Sequence, residues 1–125
     1  MREHFKPILE AGLSITVPYK KRYTHDFSEV KICWSHVWNC CCIYGEYING
    51  KFPTIEEGVD FFIREAFSSK NLGLIISRLQ HKNKISSDDM EIHWNRKTGK
   101  FDDEYQTMLD KLVEEEKELI NKEKV

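Results

Sequence analysis

The chain has 125 residues, of which 40% are hydrophobic, 12% aromatic and 32% charged. That length suits one domain able to bury roughly two-thirds of its unfolded surface, and the composition excludes a disordered or low-complexity chain. The longest apolar run, Cys40 to Tyr44, falls far short of the about 20 residues that a membrane-spanning helix needs, so no membrane partner is expected.

Met1 to Pro7 lacks the apolar run and small-residue cleavage site of a secretory signal, which predicts a cytoplasmic protein. Cys40, Cys41 and Cys42 are consecutive, a poor disulfide framework, and with Cys33 they read as reduced, packed thiols. Net charge is −2, with 15 Lys and Arg against 12 Asp and Glu over residues 1–100, and 4 against 9 over 101–125. An acidic terminal segment thus follows a mildly basic body.

Pro7 to Ala11 before Gly12 predicts a short helical turn. Leu13, Ile15, Val17 and Tyr19 alternate with Ser14, Thr16 and Pro18, the period of a strand with one buried face. Asp26 to Glu29 resembles a capping box, and a helix is predicted from Asp26 to Asn49. Its buried side would carry Val30, Trp34, Val37, Cys41, Tyr44 and Ile48, which makes it the central element.

Thr54 to Glu57 is a second capping box. Ile55, Val59, Phe62, Ile63, Ala66 and Phe67 follow at helical spacing, and a further helix over residues 70–82 uses Leu72, Ile75, Ile76 and Leu79. Met90, Ile92 and Trp94 alternate with Glu91, His93 and Asn95, which predicts a strand that turns at Thr98-Gly99. Asp102 caps a last helix with Tyr105, Met108, Leu109, Leu112 and Val113 inward. Leu119 and Ile120 resume the stripe after three glutamates, so residues from about 115 to 125 are expected to project or fray.

The fold class that follows is a helix-rich α+β single domain spanning residues 1–125. It has a central buried helix and a small antiparallel sheet formed by residues 13–19 and 90–101.

Chemistry is harder to find. The segment Arg96-Lys97-Thr98-Gly99-Lys100 lacks the second glycine and the following hydroxyl of a phosphate-cradling loop. No dinucleotide fingerprint, serine-nucleophile elbow or zinc-protease motif is present, and no cofactor is called for. In a helix, Cys33, His36 and Cys40 would share one face as soft metal ligands, with His25 as a fourth; packed thiols beside a hydrogen-bonded histidine are the plainer alternative. Glu91 and His93 on a polar strand face, near Ser14 and Thr16, form the candidate catalytic pair.

Basic and aromatic residues interleave at Tyr19, Lys20, Lys21, Arg22 and Tyr23, and cations recur at Arg96 and Lys97. These are the candidate binding residues, suited to phosphates and bases. Helices 54–67 and 70–82 followed by a basic hairpin also mimic a winged helix-turn-helix, although a pI near 6.2 is low for such a domain.

Three functions are compatible with these residues. The first is a small regulatory or inhibitory protein acting through protein contacts, including self-association through the C-terminal helix. The second is nucleic-acid binding. The third is a small-ligand or phosphoester-acting protein that uses His93 and Glu91.

Overall fold

Helix α1 (Arg2–Glu10) starts five residues before the turn predicted from Pro7, and it stops where expected. Gly12, at φ 82, lets Leu13 N donate to Ile8 O and Gly12 N to Leu9 O, both at 3.1 Å, the paired bonds of a Schellman end. The computed structural model describes residues 2–23 and 28–123. The predicted cap at Asp26 and the ligand His25 lie outside those residues.

β1 (Ile15–Pro18), β2 (Glu29–Ser35), β3 (Cys40–Gly45) and β4 (Gly50–Phe52) form an antiparallel sheet in that order. The predicted central helix is therefore a correction: most of residues 29–49 form a hairpin of two strands. Val30, Ile32 and Trp34 alternate with Lys31, Cys33 and Ser35, and Ile32 pairs with Ile43 across the ladder. β-Branched and aromatic side chains suit a pleated, half-buried surface, and Asn39 at φ 53 makes the reversal that a helix would not contain.

The sheet also differs from expectation in its partners. β1 pairs with β2, with Ile15 opposite Ile32, and not with residues 90–101.

α2 (Ile55–Ala66) is capped by Thr54, whose side chain accepts from Glu57 N. With α1 it covers the inner sheet face, where Leu9, Val30, Ile32, Cys41, Ile43, Val59 and Phe62 form one buried cluster. α3 (Leu72–His81), α4 (Ser87–His93), the two-stranded ribbon of β5 (Trp94–Asn95) and β6 (Lys100–Phe101), and α5 (Asp103–Glu123) surround a second cluster. It contains Ile75, Leu79, Phe101, Tyr105, Leu109, Val113 and Ile120.

The predicted strand at Met90 to His93 is helix α4 instead, started by Ser86, whose Oγ accepts from Asp89 N at 3.1 Å. Its apolar alternation marks no buried face, since Ile92 is 74% exposed. The architecture is α+β, with five helices and two antiparallel sheets among the described residues.

α5 continues as helix through Glu123. Glu116 and Ile120, within the segment expected to project or fray, are buried, and residues 124–125 of that segment lie outside the described residues.

Candidate functional site

Two features join the halves of the molecule. Asn71, fully buried, caps α3 by accepting from Leu74 N at 3.3 Å, and its Oδ1 also accepts from Lys20 N at 3.1 Å. Its Nδ2 donates to Pro18 O and Ala66 O, each at 2.8 Å. All four hydrogen-bonding positions of the amide are used, as burial demands. Beside it, a Cβ on Gly73 would stand 3.2 Å from Lys20 N and Tyr19 N, so the glycine is what lets α3 lie directly on the end of β1.

This contact turns the chain after β1 across α3 and toward the ribbon. The Tyr23 and Phe101 rings meet edge to face at 5.7 Å, Trp94 meets Phe101 at 4.8 Å, and Phe101 meets Tyr105 at 5.2 Å. A half-open cleft of about 360 Å³ lies between these elements. Ile76, Met90, Trp94 and Phe101 supply apolar lining, while Lys20, Tyr23, Gln80 and Glu91 contribute polar atoms.

The expected binding residues fall into two roles. Lys20 and Tyr23 line the cleft. Tyr19 is 4% exposed and belongs to the inner core. Lys21 sits over the Tyr47 ring at 5.5 Å, and Arg22 is exposed. The Tyr23 hydroxyl donates to Asp110 Oδ1 at 3.5 Å; burial first, and the Asp110 charge second, push its pKa up to about 12. Arg96 and Lys97 stand on the ribbon turn, where Arg96 pairs with Glu91 at 2.6 Å and Asn95 Oδ1 accepts from Lys97 N at 2.9 Å.

Glu91 and His93 do not form the expected pair on a strand face, because both lie on α4. Glu91 binds Arg96, whereas His93 Nδ1 lies 2.6 Å from Asp102 Oδ2, and the His93 ring stacks on Tyr105 at 4.5 Å. Asp102 Oδ1 accepts from Tyr105 N at 2.9 Å, capping α5. That backbone bond, followed by the His93 contact, lowers the Asp102 pKa. The carboxylate is thus the acceptor and Nδ1 the donor, an arrangement that orients the imidazole.

Cys33 and Cys40 do share a face, although it is the outer face of the sheet and not a helix face. The third thiol on it is Cys42, opposite Cys33 in the ladder, while His36 lies in the exposed turn after β2. Among the described residues no group of three or more His, Cys, Asp or Glu is arranged to hold a metal ion.

α3, the helix of the winged layout that would enter a nucleic-acid groove, packs on α5 through Ile75 and Leu79 and on β1 at Gly73. The end of α5 has a covering element within its own chain. Glu116 receives Lys82 Nζ at 2.5 Å, and Arg78 Nε lies 3.2 Å from its second oxygen. Leu119 remains 40% exposed. No helix among the described residues is long and apolar enough to cross a membrane.

Sequence reading missed Asn71, and it missed the cleft formed by Ile76, Met90, Trp94 and Phe101. These residues look like ordinary core or polar positions until the fold brings them together. The Asp102 partner of His93 is hidden in the sequence because helix capping by itself accounts for an aspartate at that position. Comparison with known proteins finds no matching family model, curated protein or solved structure.

Proposed function

We propose that the protein is a small cytoplasmic binding module of regulatory or inhibitory type, which takes an apolar side chain of a protein partner into the cleft between β1, α3 and the α4–ribbon unit. The observation that carries this reading is the cleft itself. Its volume of about 360 Å³ is near the small end of ligand sites and suits one or two bulky side chains better than a large cofactor. Trp94, Phe101 and Met90 supply the rigid and adaptable apolar surface typical of recognition anchors, and Lys20 and Glu91, the latter paired with Arg96, line the same site.

Selection of a displayed random-peptide library on the immobilised protein tests the proposal. The expected result is enrichment of peptides with an aromatic or aliphatic anchor, whose affinity falls at least about tenfold on Met90→Glu protein, a loss of the size given by one apolar anchor. Enriched peptides indifferent to Met90→Glu would refute it.

Nucleic-acid binding is the second reading, favoured by the Tyr23–Phe101 contact that brings residues 19–23 against the ribbon carrying Arg96 and Lys97. Tyr19 and Tyr23 are committed to packing, so base stacking loses its platform and phosphate contacts alone would remain. Such binding would weaken steeply with salt and would be lost on Lys21→Ala with Arg22→Ala. Absence of retention on single-stranded DNA and RNA at low salt ends that reading.

A further inference from the structure

We infer that the outer face of the four-stranded sheet carries a thiol exchange site, in which Cys40, Cys42 and Cys33 react with a low-molecular-weight disulfide such as glutathione disulfide. It is separate from the cleft and does not depend on the binding proposal.

Strand alternation puts the three thiols together. Cys41 points into the core against α2, whereas Cys40 and Cys42, two residues apart, share the opposite face. Their Sγ atoms lie 3.6 Å apart, and Cys33 is directly opposite Cys42 in the ladder. The face is open to solvent around them: Thr16, Lys31 and Lys51 are exposed and Tyr44 is 49% exposed. Cys33 and Cys40 are partly exposed, and Cys42 is covered. A partly exposed thiol therefore stands beside a covered one that can serve as its resolving partner.

The exchange balances in three displacements. The Cys40 thiolate attacks one sulfur of glutathione disulfide, breaking that S–S bond and releasing one glutathione thiol. The Cys42 thiolate then attacks Cys40 Sγ, closes a Cys40–Cys42 bond and releases the second glutathione thiol. The protein has now lost two electrons and two protons, and the small disulfide has been reduced to two thiols. In the third step the Cys33 thiolate attacks Cys42 Sγ and expels the Cys40 thiolate, with no net redox change.

The last pairing is favoured by strand geometry. Two residues along a strand are separated by about 6.4–6.8 Å, the upper end of the Cα range of disulfides. Directly opposed residues lie about 4.5–5.5 Å apart, inside that range and short of its upper limit. Burial raises the pKa of Cys33 and Cys40, which keeps them protonated in neutral solution and makes exchange slow.

The folded protein is incubated with glutathione disulfide, quenched in acid, unfolded and alkylated with N-ethylmaleimide near neutral pH, and digested with chymotrypsin, which cleaves between Cys33 and the later three cysteines. The expected product has lost two hydrogens and joins Cys33 to Cys42. Cys33→Ser should stop at Cys40–Cys42, and Cys42→Ala at a glutathione adduct on Cys40. An intramolecular bridge that forms only in denaturant, or one that involves Cys41, overturns the inference. Mapping of the unmutated protein decides the matter even where Cys42→Ala fails to fold.

Discussion

His93 and Asp102 are joined by a 2.6 Å contact between Nδ1 and Oδ2, while the other oxygen of the same carboxylate caps α5 through Tyr105 N. One side chain therefore ties the end of α4 and the ribbon to the start of the last helix. The Asp102 pKa lies below the ordinary 3.8, chiefly through the Tyr105 backbone bond and then through His93. A carboxyl whose pKa is lowered by folding stabilises the folded state above its unfolded pKa, and that contribution disappears as the pH falls through the lower folded value.

Asp102→Asn keeps a competent cap but removes the carboxylate. The unmutated protein should exceed the variant in urea stability at pH 5, and the difference should close as the pH is lowered below 3.8. A difference that stays constant through the acid range would mean that the carboxylate charge contributes nothing.

Asn71→Ala removes the α3 cap and both Nδ2 donors at the junction of the two cores. The expected loss is about 3 kcal/mol, from the cap, the Lys20 N–H deprived of its acceptor and two carbonyls deprived of a donor. Asn71→Asp should be no better, because its second oxygen would face Pro18 O and Ala66 O. If Asp restored the stability seen with Asn, the junction would be a helix cap and nothing more.

A third prediction concerns Glu116, which is fully buried beneath Lys82 and Arg78. Arg78→Ala with Lys82→Ala leaves a buried carboxylate without its cations and should cost about 3–5 kcal/mol in thermal or urea unfolding. Adding Glu116→Leu should recover most of that loss, since an apolar side chain of similar size needs no partner there. Failure of the third substitution to recover stability would place the cost in lost packing of the Arg78 and Lys82 stems.

These positions also show what is legible in the sequence. α2 is readable because Thr54 supplies a cap and one apolar face runs unbroken from Ile55 to Ala66. α5 is readable for the same reason from Tyr105 to Val113, although Met108, expected inward, is 42% exposed. The end of that helix is not readable: Glu114, Glu115 and Glu116 look like one solvated run, yet Glu116 turns inward to Arg78 of α3 and to Lys82 at the C-cap of α3. Residues 29–45 mislead because Cys40 to Tyr44 place apolar side chains on both faces of β3, so a period of two and a period of 3.6 fit equally well. The register of four strands decides between them, and that register is a long-range property. The cleft is illegible for a related reason, because Lys20, Ile76 and Trp94 come from three separate segments and meet only after Gly73 lets α3 settle on β1.

The cleft is the proposed binding site, and the most direct measurement is a set of intermolecular nuclear Overhauser contacts between a selected anchor peptide and the protein. Contacts from the peptide's apolar anchor to the Met90 methyl group, the Trp94 ring and Ile76, with amide shifts concentrated on residues 20–23 and 73–101, are the predicted result. A peptide that binds with its anchor against Val37 and Trp38 at the β2–β3 turn, or along the exposed face of α5, would contradict it.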